Sequence, residues 1–496
     1  MDGGDPERVE RVEGGRVTAS TARARHRRRS RRLARASLWP AAVLLAVPGC
    51  GADDPEEVDQ PPFELDVPVE RSSLDNGLEV VVIPNHTAPV VTALVAVRAG
   101  SAVEEVATNG YSHLFEHMIF QGSEAVPDTV EFHDRLDELG VASNGTTSVD
   151  RVTYFFTAAS EALEPALDLF AGAIVSPALD PVLLEKEKNV VLGEFDLNES
   201  DSDFLHYRAA LSGLFGDYST ALDPLGRRDT VVAATPEQLR AMHAAYYVPE
   251  NALLVLSGDV THARGRELGE RYLGGWPSRV EPVPPAPLGL PGPFDAHRFE
   301  VLEAPVTLTS IEVWWRGPTL DDDPRGALAG ELLSRISLQT DHSFRGLVGP
   351  GLAYSAGLSL RVLRRTSYIS VSLGVVPGNE WRALGALRTE LERLGAKGDV
   401  AEEQLARARA SAFRTYLYTS ADPASLAFSL ADDWALADSG RFFSSVDELY
   451  DVGAADLDDF ARSYLQRHPR VVVVMSNAET ISAQGLDPET LAEVLP

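Results

Sequence analysis

His113-Leu114-Phe115-Glu116-His117 gathers two imidazoles and a carboxylate within five residues. At helical spacing the two histidines stand one turn apart on one face, with Glu116 on the same side. Neutral imidazole nitrogens suit zinc, and a carboxylate that does not bind the ion can face the water held there. A hydrolytic zinc site takes three protein ligands and keeps a position open for water, so a third ligand must come from elsewhere in the chain. Chance produces the pattern about 0.04 times in a chain of this composition, so the spacing is informative.

Downstream, residues 185–194 form a helical run in which Glu187 and Glu194 are seven residues apart and share a face. The order H-x-x-E-H reverses the common zincin helix. Glu194 follows His117 after 76 intervening residues. With these spacings the chain resembles the insulinase/pitrilysin family of zinc metallopeptidases, in its bacterial processing-peptidase-like branch. The flanks agree: Gly100-Ser101-Ala102-Val103-Glu104 precedes the helix, and Met118-Ile119-Phe120-Gln121-Gly122-Ser123 continues it. Asn144-Gly145-Thr146-Thr147-Ser148 is similar to the family's Asn-Ala-x-Thr-Ser edge, and Tyr247-Val248-Pro249-Glu250-Asn251 to its Tyr-x-Pro-x-Asn run. The likeness runs over residues 63–477.

The resemblance implies one zinc ion per chain on His113, His117 and Glu194, with Glu116 as general base and Glu187 as a supporting acid. It implies an exposed strand edge at Asn144, Gly145 and Thr146 that holds extended substrate by backbone hydrogen bonds. Gly145 stands where the family usually has Ala, a change expected to be small. In the second half, Gly351-Leu352-Ala353-Tyr354 is similar to the family's Gly-Leu-x-Tyr run, which makes Tyr354 a substrate contact. The family's Arg lies seven residues earlier, where this chain has Leu347; Arg345 is the candidate replacement. Some bacterial members work as pairs, so a second subunit of the same family, in a homodimer or heterodimer, is expected to complete a chamber for peptides or unfolded segments. The function implied is that of a zinc-dependent endopeptidase. The alternatives are a catalytically silent or partner-dependent subunit, and a lipid-anchored peptide-binding protein.

Residues 276–293 carry seven prolines, which favour extended backbone and lack amide hydrogens. They read as a linker between two halves with the same order of elements. Strand-like runs at 78–83 and 91–98, a helix near 111–120, a strand at 152–158, helices near 161–174 and 181–197, and a strand at 253–256 make the first. Strand-like runs at 299–302 and 306–315, a helix at 325–336, a strand at 368–373, helices near 381–394 and 401–418, and a strand at 471–475 make the second. The fold class expected is α+β, with two homologous domains of insulinase/pitrilysin type, each a mostly antiparallel sheet packed with helices. The zinc-binding peptidase domain is placed at 63–275, the linker at 276–297 and a metal-free substrate-binding domain at 298–496. The helix at 325–336 contains no histidine.

The chain of 496 residues has a formal charge of −30, and without its first 49 residues, which hold 11 Arg against 5 acids, the balance is −36. Such a surface repels nucleic acid. Residues 1–50 have the order of an export signal: a basic region at 27–35, an apolar stretch at 38–47 too short to span a bilayer, and Val47-Pro48-Gly49-Cys50. Cys50 is the sole cysteine, so no disulfide accounts for it. The segment is similar to a bacterial lipoprotein signal, which implies an exported cell-envelope protein held at the membrane by lipid on Cys50 and facing the periplasm, with residues 51–62 as a flexible tether. Labelling of the protein by radioactive fatty acid in cells is expected to fall to background in Cys50→Ser; equal incorporation would contradict the anchor.

Overall fold

The computed structural model describes residues 68–495 apart from 280, 349, 350, 395 and 397. The export segment, Cys50 and the tether lie outside the described residues.

Six strands, β1 (Glu70–Ser73), β2 (Glu79–Pro84), β3 (Val90–Val97), β4 (Ala142–Thr147), β5 (Val152–Ala159) and β6 (Ala252–Gly258), form a sheet in the order β1-β2-β6-β3-β5-β4. Five more, β7 (Arg298–Glu303), β8 (Thr309–Gly317), β9 (Ala353–Arg361), β10 (Ser367–Val375) and β11 (Val471–Ser476), form a second in the order β7-β11-β8-β10-β9. The two orders coincide once β1 is set aside. In each sheet the strand that closes the half, β6 or β11, runs parallel to the first of the shared strands, and the other pairings are antiparallel. The fold is α+β with two homologous halves, as the order of elements in the sequence predicts.

The central strands are continuous apolar runs because both faces of each sheet are covered. Alternate side chains enter different cores. From β2, β3 and β6, Val80, Val82, Val91, Ala93, Val95, Leu254 and Leu256 join the main core of the first half, where the helices Tyr111–Ile119 and Pro181–Glu199 pack. Val81, Ile83, Leu94, Ala96, Leu253 and Val255 point the other way. They meet Leu426, Leu430, Ala431 and Trp434 of helix Pro423–Leu436, which the second half supplies.

The second sheet is treated reciprocally. Val472 and Val474 of β11 enter the core of the second half. Val471 and Val473 instead face Ala210, Leu211, Leu214 and Phe215 of helix Ser202–Phe215, which comes from the first half. The approach is close: a Cβ on Gly213 would stand 2.8 Å from Val471 Cγ1. Polar contacts accompany the exchange. Buried Arg151 donates to Asp432 Oδ1 from Nε at 2.9 Å and Nη2 at 2.6 Å, and the Arg98 guanidinium lies 4.0 Å over the Trp434 ring.

The large side chains covered by helix Pro423–Leu436 are worth on the order of 10 kcal/mol, comparable with the net stability of a domain. Residues 68–275 produced alone are therefore expected to aggregate or bind a hydrophobic dye, and co-production with 298–495 to restore a soluble complex. A monodisperse fragment melting like the whole protein would contradict the exchange.

Candidate metal centre

Helix Tyr111–Ile119 starts at Gly110, whose φ of +99° suits glycine and which has no side chain to cap the helix. Glu104 supplies the cap from six residues upstream. One of its oxygens accepts from the amide of Ser112 at 2.6 Å, and the other from the amide of Gly110 at 2.7 Å and from Asn109 Nδ2 at 3.0 Å. Its carboxyl group is buried, which pushes its pKa up to about 7, while the donated hydrogen bonds pull it down. The rest of the helix is fixed by apolar burial: Leu114, Phe115, Met118 and Ile119 lie in the first core.

Helix Pro181–Glu199 faces it. Asp180 caps its start, accepting from the amides of Val182 at 2.7 Å and Leu183 at 3.0 Å, and Pro181 opens the first turn. Leu184, Val191 and Phe195 share the core with the histidine helix, and this packing turns Glu187 and Glu194 towards the histidines.

The structure brings five of the sequence-predicted residues together. His113 Nε2 stands 3.3 Å from Glu194 Oε2, and His117 Nε2 stands 3.7 Å from Glu194 Oε1. The two imidazole rings have centroids 4.9 Å apart at 85° to one another. Donor atoms of His113, His117 and Glu194 all lie within 4.8 Å of one another. Ligands at zinc's usual bond lengths in a tetrahedron stand about 3.3 Å apart, so two nitrogens and an oxygen so arranged fit that ion with small movements. Glu187 is only 6% exposed, and its Oε2 lies 3.2 Å from the other nitrogen of His117, Nδ1. A carboxylate there fixes the tautomer and orientation of an imidazole whose Nε2 faces a metal. Glu116 points to β4, where Thr147 Oγ1 donates to its Oε2 at 2.7 Å.

Among the described residues β4 ends its sheet and pairs with β5 alone, so its other side is open. Asn144 is exposed on it, Thr146 is half-buried and Gly145 is buried. A Cβ at Gly145 would stand 2.7 Å from Glu116 Cγ. Arg345 stands on the short helix Ser343–Leu347 and Tyr354 on β9. Tyr354 is 61% exposed and Arg345 is exposed, whereas Leu347 is buried in the second core and presents nothing to a ligand. Thr147 was quoted only as part of the strand-edge motif, and its contact with Glu116, like the capping role of Glu104, was not legible in the sequence. Glu104 had one available signal, an acid shortly before a helix that opens on glycine.

A duplicated α+β fold with an H-x-x-E-H helix at its first sheet defines a two-domain protein of the inverted zincin class. Residues 79–212 match the family model described as Insulinase (Peptidase family M16), and residues 233–412 match that of the Peptidase M16 inactive domain. The chain belongs to the insulinase family. It is similar to the zinc protease PqqE of Helicobacter pylori, 25% identical over 410 residues, which are 80% of this chain and 90% of that protein. It is similar also to the uncharacterized zinc protease YmxG of Bacillus subtilis, 26% identical over 211 residues, 42% of this chain and 51% of that one, so this match spans about half the relative's length. Among solved structures it resembles pitrilysin with a TM-score of 0.73 at 18% identity, covering 89% of this chain and 49% of pitrilysin.

In Glu104→Gln an amide NH2 would meet backbone N–H groups, and the chain is expected to lose about 2 kcal/mol in denaturant unfolding. A variant as stable as the wild type would show that the helix does not depend on this cap.

Proposed function

We propose that the protein is a zinc-dependent endopeptidase that hydrolyses peptides or unfolded protein segments in an enclosed chamber. His113, His117 and Glu194 hold one zinc ion, Glu116 is the general base and Glu187 orients His117. The observation that carries this is the meeting of three donor side chains from two helices, with a fourth side chain, the carboxylate of Glu116, beside them and turned to an open strand edge.

A zinc ion bound at this position would supply a lowered pKa for water and polarisation of a carbonyl oxygen. Glu116 accepts a proton from the attacking water as the new carbon–oxygen bond forms. The same carboxyl group delivers it to the departing amine nitrogen as the carbon–nitrogen bond breaks, so Glu116 ends the cycle as it began. Extended substrate adds to the open side of β4 through backbone hydrogen bonds along Asn144, Gly145 and Thr146. Arg345 and Tyr354, exposed on the second half, hold the substrate away from the scissile bond.

A second subunit of the same family, identical or not, completes the chamber. Support for this comes from the match to about half of pitrilysin's length and from the burial of Leu347 where the family has its Arg. Export and membrane attachment through lipid on Cys50 rest on residues 1–50. Among the described residues no helix is long and apolar enough to cross a membrane.

The test compares protein lacking residues 1–50 with its Glu116→Gln variant, measuring bound metal by mass spectrometry and cleavage of a peptide mixture. Both are expected to bind one zinc ion, and the variant to cleave at least about a hundredfold more slowly. A wild type without zinc, or equal cleavage by the two, would overturn the mechanism.

A further inference from the structure

Side chains alternate along a strand, so Gly145 and Thr147 face one side of β4 and Asn144 and Thr146 the other. Thr146 belongs to the sheet: its hydroxyl is 2.7 Å from that of Thr153, which also accepts from Arg151 Nη1 at 3.0 Å. The opposite side carries Glu116. The Thr147 hydroxyl donates to Glu116 Oε2 at 2.7 Å, and a Cβ on Gly145 would stand 2.7 Å from Glu116 Cγ and 3.0 Å from both Cδ and Oε1. Unbonded carbons pack at about 3.5–4.0 Å, so Glu116 lies in space that a methyl group at position 145 would fill.

We infer that Gly145 and Thr147 form a seat that fixes the position of the Glu116 carboxylate. The inference rests on Glu116 being the general base. Both are positioning residues, acting through Glu116 and touching no reacting atom. A glutamate has three rotatable side-chain bonds, and a misplacement of about 1 Å at a reacting centre costs about a hundredfold in rate. The Thr147 hydroxyl occupies Oε2 and restricts that freedom. Gly145 gives the side chain room to lie flat against the strand, and a methyl group there presses on Cγ and on Oε1 together.

The test uses the zinc-loaded protein, Thr147→Val, Thr147→Ser, Gly145→Ala and Glu116→Gln, with zinc content, kcat and KM on one peptide, and crystal structures of each. Thr147→Val is expected to lower kcat about tenfold or more with KM and zinc content unchanged, since it removes one hydrogen bond to a charged group. Thr147→Ser, which keeps the hydroxyl, is expected to recover most of that loss. Gly145→Ala is expected to lower kcat and to displace the Glu116 carboxylate by about 1 Å, because Cγ must reach ordinary contact distance. Thr147→Val with wild-type turnover, Thr147→Ser as slow as Thr147→Val, or Gly145→Ala with Glu116 unmoved would each overturn the seat. If Glu116→Gln cleaves as fast as the wild type, it is the general base that fails. The seat is then decided by the crystal structures alone, where an unmoved Glu116 in Gly145→Ala overturns it.

Discussion

The packing of helix Tyr111–Ile119 on helix Pro181–Glu199 is the contact on which the centre depends. Leu114, Phe115 and Met118 on one side and Leu184, Val191 and Phe195 on the other share a single core, and that core sets the rotation of each helix. Two imidazoles and two carboxylates, those of Glu187 and Glu194, then face each other by geometric necessity. Gathering carboxylates in a partly buried site costs desolvation and mutual repulsion. A divalent cation offsets both. The same arrangement separates roles: Nε2 of both histidines faces Glu194, and Nδ1 of His117 faces Glu187.

Around this contact the fold supplies rigidity by exchange. Each sheet is sandwiched between its own helices and one helix of the other half, so the halves share apolar cores. Arg151 ties this to the strand edge, since it lies between β4 and β5 and bonds Asp432 at the exchanged helix. The edge that faces Glu116 is thereby braced by the second half.

Much of this was legible in the sequence, and what was not has identifiable causes. Helical spacing alone puts His113, Glu116 and His117 on one face, because the relation is local. Glu194 was reached through family resemblance, since 76 residues separate it from His117 and no local rule spans them. Strands β6 and β11 announce themselves as apolar runs, but β1, Glu-Arg-Ser-Ser, and β9, with no β-branched residue, carry little strand signal. The run expected at 306–315 starts later, at Thr309. The exchanged helices could not be foreseen: Ser202–Phe215 covers Val471 and Val473, and Pro423–Leu436 covers Val81, Leu94 and Val255, strand residues more than a hundred residues away. The contact of Thr147 with Glu116 was missed for the same reason, because a strand-to-helix hydrogen bond leaves no spacing rule to read.

Diffraction from zinc-loaded crystals at the zinc absorption edge shows whether His113, His117 and Glu194 hold a single ion. One anomalous peak per chain is expected, within ordinary bonding distance of both Nε2 atoms and of a Glu194 oxygen. A peak bonded to only one of the histidines, or located elsewhere on the protein with this cluster lacking one, would contradict it.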